Sequence, residues 1–260
     1  HIPVGHVEAG LRTYDLDRPH PEEYNRQAIS IIAKYHFAPT ALNRDNLTQE
    51  GCKAENIYVT GNTVIDALRY TVRSDYHHPI LEWAGNSKLI FITAHRRESL
   101  GEPMHHMFRA IRRVLDEHPE CRAVYPIHMN PAVRQAADQE LGACDRIRII
   151  EPLNVFDCHN IETRSFLCVT DSGGLQEECP SYGVPVLVMR DKTERPEGVE
   201  AGTVKLVGSD EEAIYSIFRE LLENHAEYER MSHSCNPYGD GHASERIANI
   251  LEGKEYVPWK

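Results

Sequence analysis

Most of the short motifs that would announce a chemistry are missing from this chain. Its seven cysteines include no C-x-x-C pair, and no Cys/His run has zinc-ligand spacing. There is no G-x-S-x-G elbow, no Walker-type GK[ST] and no dinucleotide G-x-G-x-x-G. Metal chemistry and a serine nucleophile therefore rank low, and no metal is expected. His105-His106 lies in a helical pattern without the i, i+4 spacing of a helical metal pair, and reads as solvated surface. No apolar run approaches the roughly 18 residues of a membrane span, and no basic start followed by an apolar stretch marks a signal peptide. An excess of positive charge is lacking too. The formal net charge is -12, spread along the chain, which argues against nucleic acid or an anionic membrane as partner. The odd, scattered cysteines suggest a reducing cytoplasm. Internal repeats and low-complexity tracts are absent, and so is an initiator Met. The chain opens at His1 directly on a strand-like IPVGHV, so part of the natural protein is expected upstream.

What is present is ordinary globular material: 260 residues, 41% hydrophobic, enough for one large α/β domain or two smaller ones. Strand-type runs at 2–9, 35–40, 57–61, 88–95, 122–128, 146–152, 166–171, 185–191 and 203–208 alternate with helical patterns at 22–34, 40–50, 63–73, 103–118, 131–141, 175–182 and 210–224. This alternation predicts parallel sheets covered by helices. The stretch SDYHHPILEWAGNSK (74–88) interrupts the pattern and places a domain boundary near residue 80. Six strand signals downstream of it predict a doubly wound domain over 81–240. A last helix starts near His242, within a terminal segment 241–260 expected to pack back on the first domain.

Three stretches could carry chemistry. Asp171-Ser172-Gly173-Gly174 lies between a strand and the helical Leu175-Gln176-Glu177-Glu178. Glycines there let a ligand approach the backbone and its N–H groups, while a tight turn capped by Ser172 is the plainer alternative. A carboxylate one turn on, at Glu178, could accept hydrogen bonds from sugar hydroxyls, as the acidic residue of dinucleotide folds does. Glu177 is expected on the solvated face. Thr93-Ala94-His95-Arg96-Arg97-Glu98 ends a strand, where ligands of open α/β sheets gather, and its His and Arg suit phosphate oxygens. An exposed basic turn is the alternative. Glu8, in HVEAGLRT at the end of the first strand, and Glu22, in HPEEYNR at the start of the next helix, can act as a carboxylate pair, while Glu22 as an ordinary first-turn dipole partner is the alternative. His128 in YPIHMNP ends another strand.

Together GHVEAGLRT, HPEEYNR, VTGNTVIDAL, TAHRRES, YPIHMNP, TDSGGLQEE, RDKTERPEGVEAGTVKLVG and NPYGDGHAS resemble, in order and from residue 5 to 243, the non-hydrolysing UDP-N-acetylglucosamine 2-epimerase family. The resemblance implies two Rossmann-like domains of GT-B type facing a central cleft, usually in a homodimer. Residues 1–80 would be the carboxyl-terminal part of an amino-terminal domain that is incomplete in this chain. It implies reversible epimerisation of UDP-GlcNAc to UDP-ManNAc at carbon 2, by elimination and re-addition of UDP through 2-acetamidoglucal, for cell-envelope polysaccharide precursors, with no cofactor. By resemblance Glu8 and Glu22 are the acid/base carboxylates and His95 contacts the diphosphate and assists its departure. Ser172 and Gly173 donate to the phosphates, Glu178 holds the ribose, and Phe156 walls the uracil pocket. Arg96 and His128 match positions that touch a second, allosteric UDP-GlcNAc. The family also carries an upstream arginine and aspartate, before His1 in order. A GT-B glycosyltransferase, a hydrolysing epimerase and a non-catalytic UDP-sugar sensor are the alternatives.

Overall fold

A computed structural model of the chain describes residues 2–260. Contacts divide it into two compact units, the first gathering His1–Tyr70, Glu194–Gly198 and Asn236–Lys260, the second Thr71–Thr193 and Val199–Cys235. Among the described residues no helix is long and apolar enough to cross a membrane.

In the first unit β1 (Gly5–Val7), α1 (Glu22–Ile32), β2 (Tyr35–Ala38), α2 (Ala41–Gln49), β3 (Ile57–Val59) and α3 (Thr63–Thr71) follow in order. The strands form a parallel sheet, β1-β2-β3, with Val7 opposite Phe37 and Phe37 opposite Tyr58. Thr40 starts α2 through a capping box with Asn43, which satisfies two of the helix's orphan donors. A small core of Ala9, Ala38, Leu47 and Ile57 lies beneath. Arg12 is buried and binds Glu50 of the chain after α2 in two parallel hydrogen bonds of 2.6 and 2.8 Å, while also donating to Ser30 of α1. It thereby ties two helices to the β1 loop.

The second unit runs α4 (Pro79–Ala84), β4 (Lys88–Thr93), α5 (Glu102–Glu117), β5 (Cys121–Pro126), α6 (Pro131–Leu141), β6 (Ile147–Ile150), α7 (Val155–Glu162), β7 (Leu167–Thr170), α8 (Leu175–Glu178), β8 (Val186–Val188), α9 (Pro196–Glu200, which straddles the division), β9 (Val204–Leu206), α10 (Glu211–Glu223) and α11 (His225–Ser232). α12 (Ala243–Leu251) belongs to the first unit, its first amides held by Asp66 of α3 at 2.7 and 3.0 Å. The six strands form one parallel sheet in the order β6-β5-β4-β7-β8-β9. Both of its faces are buried. Ile90, Ile92, Ala123, Tyr125, Val169 and Leu187 point to the core under α5, α6 and α10. Leu89, Phe91, Val124, Cys168, Val186 and Val188 point to the core that includes Ile80 of α4 and Ile161 of α7. The period-2 alternation of KLIFIT therefore serves two layers of helix, as parallel sheets require.

Three expectations change. The stretch 74–88 is not merely linker, because it contains α4, with His78 capping, Pro79 in the first turn, Gly85 following, and Ile80 and Ala84 buried. A further helix, α7, starts at the Asn154 cap, whose side chain accepts from Asp157 N. Glu177 is fully buried rather than solvated, since α8 runs straight into a 3-10 turn at Cys179–Tyr182 and presents Leu175, Gln176 and Glu177 to the interior.

Candidate functional site

Strand order reverses between β4 and β7, the kind of switch point at which ligands of open α/β sheets bind beyond the carboxyl ends of the strands. Thr93 and Thr170 are register partners, with hydroxyls 2.5 Å apart. Directly beyond them come His95-Arg96 on one loop and Asp171-Ser172-Gly173-Gly174 on the other. Asp171, fully buried, accepts from His95 N at 2.7 Å and Arg96 N at 2.8 Å through Oδ2, while its own N donates to Thr93 O. One carboxylate thus bolts the two loops together.

The His95 ring stacks on exposed His128 beyond β5, with centroids 5.4 Å apart and planes within 12°. His95 Nδ1 lies 3.4 Å from Asp171 Oδ1. Burial pushes the imidazole below its ordinary pKa; Asp171 opposes that shift, and Arg96 and His128 add to it. The shift favours the neutral ring, which can donate one N–H. Tyr125 OH donates to Ala94 O at 2.6 Å and fixes the loop from below. On the second loop Ser172 is not a helix cap, because Gly174 occupies that position and no side chain caps α8. Ser172 N donates to Thr170 Oγ1, and Gln176, fully buried, donates to Ser172 O. The Gly173 and Gly174 amides donate to no protein acceptor among the described residues, so the turn presents N–H groups suited to an anion.

Glu178 lies close against this turn. A Cβ on Gly174 would stand 2.9 Å from Glu178 Oε1, so a larger residue there would displace the carboxylate. On its other side are His159, whose Nε2 is 3.9 Å from Glu178 Oε2, and buried Glu162. Ligand atoms of His159, Glu162 and Glu178 lie within 4.8 Å of one another, the cluster among the described residues that could hold a cation. Phe156, in the first turn of α7, is 51% exposed and available to a planar ligand.

Glu8 and Glu22 belong to the first unit. Glu8 follows β1 with φ 64°, a left-handed conformation unusual for a non-glycine residue and typical of positions held for function. Its Oε1 accepts from Asn62 Nδ2 at 2.9 Å and lies 4.0 Å from Arg195 Nη2. Buried Arg195 binds buried Glu194 at 2.6 Å, and Glu194 faces Arg26 of α1 at 3.7 Å. This chain of charges links the Glu8 end of the sheet to α1, one turn from Glu22 at its start. Neighbouring Glu23 has the structural task, buried and accepting from Thr13 N and Tyr14 N. Sequence reading gave Asp171 no role beyond its place in the glycine turn, and passed over Glu162 and the Arg195–Glu194 pair. Charged residues inside the matched stretch TERPEG were the available signal for the last.

The family model for UDP-N-acetylglucosamine 2-epimerase matches residues 1–252. A Bacillus subtilis (strain 168) UDP-N-acetylglucosamine 2-epimerase is 58% identical over 250 residues, which is 96% of this chain and 66% of that protein. The chain thus spans about two thirds of the length of that curated relative. The solved structure of S. aureus MnaA with UDP superposes with a TM-score of 0.97 at 48% identity, over 100% of this chain and 73% of that one. A UDP-GlcNAc 2-epimerase from Neisseria meningitidis bound to UDP-GlcNAc gives 0.92 at 43% identity, over 97% and 70%. The chain belongs to the UDP-N-acetylglucosamine 2-epimerase family.

Proposed function

We propose that the protein interconverts UDP-GlcNAc and UDP-ManNAc without hydrolysis, on a fold of GT-B type and in the cytoplasm. The observation that carries the reading is the pair of loops bolted by Asp171 at the β4/β7 switch point, with free glycine amides on one and a neutral histidine on the other. Solved relatives bound to UDP and to UDP-GlcNAc support it. Gly173 N–H and the Ser172 hydroxyl donate to the diphosphate, His95 donates to it as it leaves, Glu178 accepts from the ribose hydroxyls, and Phe156 stacks on the uracil.

Carbon 2 carries an unactivated proton, so its direct removal to a carbanion is costly. A carboxylate of Glu8 or Glu22 takes that proton while the bond from carbon 1 to the UDP oxygen breaks, leaving a C1=C2 double bond in 2-acetamidoglucal and free UDP. Delivery of a proton to the opposite face of carbon 2, with UDP returning to carbon 1, completes the inversion. Charge leaving with UDP is met by donors already in place, which is where preorganisation lowers the barrier. Asn62 donates to the Glu8 carboxylate, and the Arg195 guanidinium lies 4.0 Å from it. We assign Arg96 and His128, next to His95, to a second, regulatory UDP-GlcNAc, and expect a homodimer.

The test is incubation of the full-length protein with UDP-GlcNAc in deuterated water, followed by NMR. UDP-ManNAc carrying deuterium at carbon 2 is the expected product. Net release of UDP with free ManNAc would assign the protein to hydrolysing enzymes, and absence of exchange with intact UDP binding would make it a sensor.

A further inference from the structure

Glu162 has no part in the chemistry above, yet it is a fully buried acid at the last turn of α7. Its Oε2 accepts a weak bond from Cys158 Sγ at 3.5 Å, and its Oε1 meets no donor. A carboxylate oxygen of Glu178, on α8, lies within 4.8 Å of one of its own. Other titratable groups around the pair are His159 on the same helix, Cys179 just beyond α8 and, behind Cys158 and Cys179, Cys168 of β7. No lysine or arginine among the described residues acts on the charge of Glu162. His159 does not supply a cation either: burial lowers its pKa, and its Nδ1 pairs with Thr71 Oγ1 at 2.7 Å.

Two carboxylates cannot share a dry site without a counter-charge unless one keeps its proton. Burial first, then the Glu178 charge, raises Glu162 well above the ordinary carboxylate range. Glu162, fully buried beside a Glu178 side chain that is 15% exposed, is the partner placed to keep the proton.

We propose that Glu162 is a positioning residue for nucleotide binding: its carboxyl donates a hydrogen bond to Glu178 and holds that carboxylate against the Gly174 turn, aimed at the ribose. This rests on the reading of Glu178 as the ribose acceptor. The shared proton makes the grip sensitive to alkali. When it is lost, two adjacent carboxylates repel, and Glu178, the more exposed of the two, is the one displaced.

Calorimetric titration of the full-length protein with UDP between pH 7 and 9.5 tests this, comparing wild type, Glu162→Gln, Glu162→Met and Glu178→Gln, with thermal midpoints alongside. Wild-type affinity should fall as pH rises. Glu162→Gln, which keeps a donor, should restore neutral-pH affinity and flatten the profile. Glu162→Met, which fills the same volume without a donor, should fold at least as stably yet bind UDP ~3- to 10-fold more weakly at pH 7. Wild-type affinity in Glu162→Met, or an alkaline fall that persists in Glu162→Gln, overturns the proposal while leaving the ribose reading intact if Glu178→Gln weakens binding. Unchanged binding in Glu178→Gln overturns both. Stoichiometric Mn²⁺ binding that Glu162→Gln abolishes would put a cation where the proton is placed, and also overturns it.

Discussion

Replacing Asp171 by alanine or by asparagine separates two contributions that this side chain makes at once. It accepts the His95 and Arg96 amides at 2.7 and 2.8 Å and places a negative charge 3.4 Å from the His95 imidazole, all in a fully buried position. Hydrogen bonds to a charged group contribute about 1.5–3 kcal/mol each. Alanine removes the acceptor for both amides, so the expected loss is about 3–5 kcal/mol in urea unfolding. UDP affinity should fall with it, because the His95-Arg96 loop loses its side-chain tie to the glycine turn. Asparagine keeps an acceptor oxygen but no charge, and should cost only about 1–2 kcal/mol. The electrostatic effect has a definite sign. Burial lowers the His95 pKa, and the Asp171 carboxylate works against that shift. Asparagine must therefore move His95 further down, read from the ring C–H resonances across a pH titration. A His95 midpoint that stays or rises in Asp171→Asn, together with a loss under ~1 kcal/mol in Asp171→Ala, would refute the two-loop bolt.

Glu8→Gln keeps the Asn62 contact but cannot take a proton, so carbon 2 exchange should drop ~10²- to 10⁴-fold with UDP binding retained; near-normal exchange would remove Glu8 from the reaction. Gly10→Ala should destabilise the first unit by about 2–4 kcal/mol, since φ is 89° and the new Cβ would meet Asn43 O at 2.1 Å. Circular dichroism melts would show it. Burial, followed by Arg12, His36 and Arg26, pushes the His6 imidazole down to about 4, with Glu8 opposing. A depressed histidine favours the folded state above its unfolded value of about 6.5 and loses that contribution as pH falls toward 4. Thermal midpoints should accordingly decline across that window, and His6→Gln should flatten the decline.

All nine strand-type runs became strands because β-branched and aromatic residues between turn signals fit one pleated, two-sided environment. α7 was harder to see: VFDCHNIE has no clean apolar stripe, as His159, Asn160 and Glu162 are buried beside Ile161. Its Asn154 cap, and the Pro79 start with Gly85 end of α4, were local signals outweighed by the polar look of their surroundings. Nothing local reveals that Glu194–Gly198 leaves the second unit to join the first.

From residue order alone came the α/β class, the strands, the glycine turn, the strand-end histidine and the family resemblance, because these depend on neighbours a few positions apart. Which carboxylate does what was decided by tertiary structure. Glu177 and Glu178 are adjacent, as are Glu22 and Glu23, and each pair has the same intrinsic chemistry. Only the packing makes Glu23 a buried clasp for the Thr13 and Tyr14 amides, buries Glu177, and sets Glu178 beside Gly174 and Glu162. A carboxylate's role follows from its solvent access and its partners, and residues as far apart in sequence as 95 and 171, or 8 and 195, supply them only after the chain has folded.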